Sequence, residues 1–172
     1  MLRAFGFVML CLTLVASATR ADDAAIKRVV KAKVEELQAA TVKGDHAAVI
    51  ASTYPKLIEQ MGGRDKALAT VKAGAESFKQ KGIEFKAARA GEPADPVKKG
   101  GELFVVVPTT TEIASPQGKI VSKGFVVGVS PDDGKSWTFL HGSLDAEKLR
   151  KSFPQIPESL VFPKRELKVV DD

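Results

Sequence analysis

Cysteine is all but missing from this chain. The one example, Cys11, sits in an apolar run near the N-terminus, so the remaining sequence has no disulfide, no thiolate nucleophile and no thiolate ligand for a metal. Histidine is nearly as scarce. His46 and His141 lie far apart, with no His-x-x-x-His or Glu-x-x-His pair, which excludes the common first-row metal centres that local spacing would announce. No glycine-rich turn followed by lysine marks a phosphate cradle, no Gly-x-Ser-x-Gly marks a nucleophile elbow, and no arginines cluster for a phosphate. Glu92 with Asp95, and Asp132 with Asp133, are the acidic pairs open to a loosely bound calcium, yet neither follows the EF-hand order. The sequence therefore points to no cofactor and no resident metal.

A strong excess of one charge is also missing. Lysine and arginine outnumber the acids by five in 172 residues, and along helical stretches the two signs mix, as in Lys31, Lys33, Glu35 and Glu36. That is a solvated helix face and argues against nucleic acid as a partner. What the N-terminus does contain is Arg3, an apolar run from Ala4 to Val15, and small residues Ala16, Ser17 and Ala18 leading into Thr19, Arg20 and Ala21. Basic, apolar and small residues in that order form a secretory signal peptide. Small residues at −3 and −1 fit cleavage after Ala18 or after Ala21, and the second is preferred because Asp22 and Asp23 then open the mature chain. The apolar run is shorter than the roughly 20 residues that cross a bilayer. No membrane span is expected after cleavage, and Leu10 before Cys11 does not fit a lipoprotein signal. The expectation is an exported protein, periplasmic or secreted, that loses Arg3 and Arg20 with the leader 1–21, so that its formal charge drops from +5 by two to +3.

About 150 residues then remain, enough for one domain with its own core. Ile26, Val29, Val30, Val34 and Leu37 recur at steps of three and four and predict an amphipathic helix over Asp23 to Lys43, closed by Gly44. Asp45 can cap a second helix carrying Val49, Tyr54, Leu57, Ile58 and Met61, with a kink or break at Tyr54 because Pro55 lacks a backbone donor and restricts the residue before it. Gly62 and Gly63 end that helix, and Leu68, Val71, Ala75 and Phe78 mark a third that stops at Gly82. The period then falls to two at Ile83, Phe85 and Ala87. Residues 90–101 read as a loop. Glu102 to Ile113 and Lys119 to Ser130 read as strands joined by the turn at Ser115–Gly118, and Ser136 to His141 adds another. Three helices followed by three or four antiparallel strands predict an α+β domain over 22–144, with the helices packed on one face of the sheet. From Asp145 to 172 a short helix and Pro154, Pro157 and Pro163 predict a tail that wraps the surface as extended chain.

One motif is sharp. Ser130, Asp132, Gly134, Ser136 and Trp137 match the Asp-box spacing Ser-x-Asp-x-Gly-x-Ser-Trp, with Phe139 continuing the strand. The short carboxylate can accept backbone N–H bonds across a turn, the glycine can take positive φ, and the tryptophan can anchor the hairpin. A single copy in a chain too short for a propeller predicts a structural turn built on Ser130, Asp132, Gly134 and Trp137, not a catalytic centre. Together with Tyr54-Pro55 before Gly62-Gly63, the strand run Val106 to Thr109 and the stretch Asp132 to Phe139, the chain resembles exported bacterial members of the nuclear transport factor 2-like superfamily over roughly Asp23 to Phe162. The resemblance implies a cone, with three N-terminal helices packed on a curved antiparallel sheet and a pocket between them. It also implies a wide choice of functions, from ketosteroid isomerases, polyketide cyclases and dehydratases to non-catalytic binding proteins.

An isomerase or cyclase of that kind needs a general base and an oxyanion donor converging in the pocket. The natural candidates are Asp45, His46, Tyr54 and His141. His46 falls in the first turn of a helix, Tyr54 on an apolar stripe, and His141 on the strand face shared by Trp137 and Phe139. No isomerase residue set maps onto this chain position by position, so no catalytic residue is assigned. The preferred reading is an exported non-catalytic module that binds a small ligand or a partner. The alternative is a small cofactor-free isomerase, cyclase or dehydratase that uses a pocket histidine and tyrosine. The expected pocket is lined by Tyr54, Trp137, Phe139 and His141 and suits a small apolar ligand. A homodimer is compatible with the sequence.

Overall fold

The computed structural model describes residues 15–141 and 146–170, with side chains from Asp22 onward. In chain order the elements are α1 (Val15–Lys43), α2 (His46–Ala51), α3 (Pro55–Gln60), α4 (Arg64–Gln80), β1 (Glu84–Ala90), β2 (Val97–Lys99), β3 (Glu102–Ser115), β4 (Gly118–Ser130), β5 (Thr138–His141), α5 (Ala146–Ser152) and β6 (Glu166–Val170). The fold is α+β, built on a six-stranded antiparallel sheet. Its centre is the β3–β4 hairpin, in register from Leu103–Ser130 to Ser115–Gly118. Both strands are long enough to hold two partners end to end: β3 pairs with β2 and β1, and β4 pairs with β5 and β6.

Leu103–Val107 and Phe125–Ser130 are buried without a break. Successive strand residues point to opposite faces, so an unbroken buried run requires cover on both sides of the sheet. On one face, Val105, Val107, Val126, Trp137 and Phe139 pack against Val30, Val34 and Leu37 of α1 and Val49 of α2. On the other, Phe104, Val106, Phe125, Val127, Val129 and Leu140 pack against Tyr54, Leu149, Phe153, Ile156 and Leu160. The expectation of cover on one face is thus corrected. The segment from α5 to Phe162, expected to wrap the surface, is the second layer of the core. Arg150 ties it down: its guanidinium donates to the carbonyls of Glu158 (3.1 Å) and Leu160 (2.6 Å) and lies 4.8 Å over the Phe162 ring.

Other expectations also change. The second of the three expected helices is two short ones, α2 and α3, divided at Tyr54. Proline at 55 holds Tyr54 extended (φ −56, ψ 128), and in that conformation the Tyr54 N–H donates to the Phe139 carbonyl at 3.0 Å while the Phe139 N–H donates to Ser52 at 2.8 Å. The break therefore stitches Ser52–Tyr54 to the outer edge of β5 and carries the chain from the α1 face to the opposite face. The expected loop at 90–101 contains β2, and the expected tail contains β6, which gives six strands where three or four were expected. Ala18 and Ala21, the expected cleavage points, lie on helical backbone at the start of α1. The rest of the expected leader and the boundary expected at residue 144 lie outside the described residues. No helix among the described residues is long and apolar enough to cross a membrane.

One close approach sets the height of α1 above the sheet. A Cβ at Gly128 would come within 2.9 Å of Val30 Cγ2 and 3.1 Å of Trp137 Cε3, so only glycine lets the helix sit this near.

The second face makes a direct prediction. Phe153 is 1% exposed, so Phe153→Ala should cost about 3–5 kcal/mol in urea unfolding, as a core phenylalanine does. A tail that merely decorated the surface would tolerate the change within about 0.5 kcal/mol.

Candidate functional site

Two places bring polar side chains together. The first is the turn between β4 and β5. Ser130 is fully buried, and its Oγ donates to Asp132 Oδ1 (2.9 Å) while accepting the N–H of Gly134 (2.8 Å). Asp132 accepts the Ser136 N–H at 2.8 Å and the Ser136 hydroxyl at 2.7 Å. Those bonds, the Ser136 N–H first, hold the Asp132 carboxyl at about 2, below the usual aspartate range. Gly134 has φ 90, and its carbonyl accepts the Trp137 indole N–H at 3.0 Å. Every side-chain polar atom of the motif is bonded inside the turn, and the adjacent Asp133 carboxylate is ion-paired with Lys98 at 2.6 Å. Glu92 and Asp95, the other acidic pair, are bonded to Lys31 and Lys27 of α1. Among the described residues no group of three His, Cys, Asp or Glu side chains is placed to hold a metal ion.

The second place is a cleft of about 410 Å³ on the α1 face of the sheet. Antiparallel partners share a face, and the register sets Thr109 beside Gly124, Thr111 beside Ser122, Val126 beside His141 and Ser122 beside Leu167. All of these line the cleft, together with Gln38 and Thr41 from the last turns of α1 and Phe85 from β1. β5 reaches only to Val126 and β6 only to Lys123, so neither pairs with Gly124 or Phe125. The cleft opens at that notch, where Lys123 and Glu166 form a 3.1 Å ion pair and Arg165 lies 6.0 Å over Phe125.

His141 is the unusual member. Its residue is half-buried, but Nε2 is fully buried and has no hydrogen-bond partner among the described residues. Burial pushes its pKa below the ordinary histidine value, which favours the neutral ring. An unsatisfied buried polar atom costs about 1–3 kcal/mol.

The candidates named from the sequence do not all meet. Trp137 and Phe139 share the face of His141 but are packed in the core under α1, and neither lines the cleft. Tyr54 is on the opposite face, with its ring edge-on to Phe153 and its hydroxyl hydrogen-bonded to Glu102 (3.4 Å) and Gln155 (3.3 Å). The sheet thus separates Tyr54 from His141. Asp45 caps α2 by accepting the Ala48 N–H at 3.0 Å, and His46 opens α2 outside the cleft. The cleft residues that the sequence did not single out, Gln38, Thr41, Thr109, Thr111 and Ser122, converge only through strand register and the end of α1. Period-two alternation of Val105, Val107, Thr109 and Thr111 was the available signal.

No family model, curated protein or solved structure matches the chain.

The turn makes two linked predictions. A carboxyl held below its unfolded value stabilises the fold fully above the ordinary aspartate range, and that contribution is lost as pH falls toward 2. Asp132→Asn should therefore lower stability at pH 7 and flatten the acid limb between pH 5 and pH 2, as followed by chemical unfolding at each pH. Gly134→Val, at φ 90, should cost about 1–3 kcal/mol.

Proposed function

We propose that the protein is an exported, non-catalytic binding module and that the cleft between the end of α1 and the sheet holds its ligand. The observation that carries this reading is the convergence of Gln38, Thr109, Thr111, Ser122 and His141 on one cleft of about 410 Å³. Ligand sites combine apolar walls with a few polar groups that fix orientation. Here Phe85, Val126 and Leu167 supply the first, and Gln38, Thr109, Thr111, Ser122 and His141 the second. Carboxamide, hydroxyl and neutral imidazole can each donate or accept. The ligand class they favour is a small molecule with hydroxyl or carbonyl groups and one apolar face, more polar than the sequence suggested. The non-catalytic part is supported by the separation of the histidine from the tyrosine that the enzyme reading pairs with it. The nuclear transport factor 2-like resemblance adds the expectation of a pocket between helix and sheet, and the position of the cleft agrees with that expectation.

Gly124 offers a clean test. Its φ is not in the left-handed region, and a Cβ there would touch only Thr109 Oγ1, at 3.8 Å. Gly124→Val should thus fold normally and raise an isopropyl group from the floor of the cleft, since valine suits a strand. Protein purified from its own host should carry a small molecule in native mass spectrometry, and Gly124→Val should lose it. His141→Ala should weaken retention. A wild-type protein carrying only water, or a ligand kept equally well by Gly124→Val, would refute the cleft as the site.

Export rests on the leader pattern and has its own test. The protein recovered from outside the cytoplasm should begin at Asp22, or at Thr19 if cleavage follows Ala18. A chain still beginning at Met1 would overturn this part.

A further inference from the structure

β6 is bound along one edge only. It pairs with β4 from Lys119–Val170 to Lys123–Glu166 without a register shift, and no described strand pairs with its other edge. Backbone donors and acceptors on such an edge are a template for another strand. The usual protections are few here: β6 contains no proline and no bulge, and its residues are exposed on both faces. Leu167 is 68% exposed and Val169 54%. These two share the α1 face with Ser122 and Ile120, while Glu166 and Lys168 point to the other face with Lys123 and Val121.

The charge pattern of β6 is complementary to itself. In an antiparallel pair of β6 strands related by a two-fold axis through Leu167, each Glu166 stands opposite the partner's Lys168, and Leu167 meets the partner's Leu167. Opposite charges facing each other across strands are stabilising, and like charges are destabilising. The competing arrangement, centred on Lys168, would set Lys168 against its own copy. Glu166 already has Lys123 on its inner side at 3.1 Å, so the Leu167-centred pairing brackets each carboxylate between two cations. On the opposite face the two Leu167 side chains meet, with Val169 of each copy diagonal to the other copy's Leu167.

We propose that two copies of this chain associate through their β6 edges, antiparallel about a two-fold axis at Leu167, making one continuous sheet. The contact is isologous, with each residue set serving both sides. Because Leu167 also lines the cleft, this pairing sets the two clefts on either side of the dyad, with the partner's Leu167 at the rim of each. The association does not depend on the cleft binding anything, and the two readings fail separately.

Sedimentation velocity over a dilution series, on protein exported by cells expressing the full chain, tests it. The wild type should shift from dimer to monomer on dilution. Lys168→Glu puts two Glu–Glu pairs across the dyad and should weaken association at least about tenfold. The triple variant Lys123→Glu, Glu166→Lys, Lys168→Glu reverses every sign, keeps the inner ion pair, and should restore it. Circular dichroism of each variant, expected to match the wild type, separates loss of association from loss of fold. Amide exchange along β6 should slow as concentration rises. A wild type that stays monomeric at every concentration overturns the proposal, as does a dimer indifferent to Lys168→Glu. An edge that pairs only with a foreign extended peptide would also overturn it.

Discussion

The constraint on which the rest depends is the burial of one hairpin on both faces. Antiparallel sheets commonly leave one face to water, and their strands then alternate apolar and polar residues. β3 and β4 do not alternate through Leu103–Val107 and Phe125–Ser130. The chain must therefore cover two faces with few elements, and its path follows from that need. α1 and α2 cover one face, the extended residues at Ser52–Tyr54 pass round the edge of β5, and α5 with the segment to Phe162 closes the other face. Gly128 belongs to the same logic, because a two-sided core needs α1 close enough for Val30 and Trp137 to share the space a Cβ would fill.

The cleft is a consequence of unequal lengths. β3 and β4 run on past Thr109 and Gly124, but the buried run stops there. α1 ends at Lys43, with Gln38 and Thr41 as its last contributions to that face, and β5 ends its pairing at Val126. β6 extends the sheet beyond β4 and is exposed on both faces, while β1 meets α4 through the edge-on rings of Phe85 and Phe78. His141 stands at that border, the last residue of the covered part and the first of the open part. Its place in the cleft wall follows from where cover ends, and this links the hairpin that organises the core to the site.

Much of this was legible in the residues, and the rest was hidden for identifiable reasons. The apolar spacing of α1, the break before Pro55 and the turn at Asp132 each depend on neighbours in sequence, and each could be read there. The two-sided burial left a signal in the unbroken runs of β3 and β4, but its cover, Leu149, Phe153, Ile156 and Leu160, recurs at steps of four, three and four across Pro154 and Pro157, and those prolines made the stretch read as extended tail. β2 is three residues long, too short to show a period, and the Leu167–Val169 alternation of β6 lies in a stretch whose prolines read as extended tail. Tyr54 lay on an apolar stripe that seemed continuous with the helix facing His141. Pro55 sent it to the other side, because an extended residue at the sheet edge presents its side chain by strand alternation, not by helical period.

The chemistry of the cleft is written in one alternation. On the α1 face β3 presents Val105, Val107, Thr109, Thr111 and Ile113, and β4 presents Gly128, Val126, Gly124, Ser122 and Ile120 beside them. Valine gives way to threonine, and valine to glycine and serine, at the same level of the sheet, and isoleucine returns on both strands beyond it. Threonine keeps the β-branched shape that favours a strand while exchanging a methyl for a hydroxyl. The strands can thus turn polar over one band without losing their pairing, and Gly124 leaves room above that band. Two strands changing polarity in register, under the end of a helix and beside a buried imidazole, form a band of hydrogen-bonding groups with a rigid sheet as its floor. That rigidity is the physical advantage of the arrangement, since groups fixed by strand register need little reordering when a ligand enters.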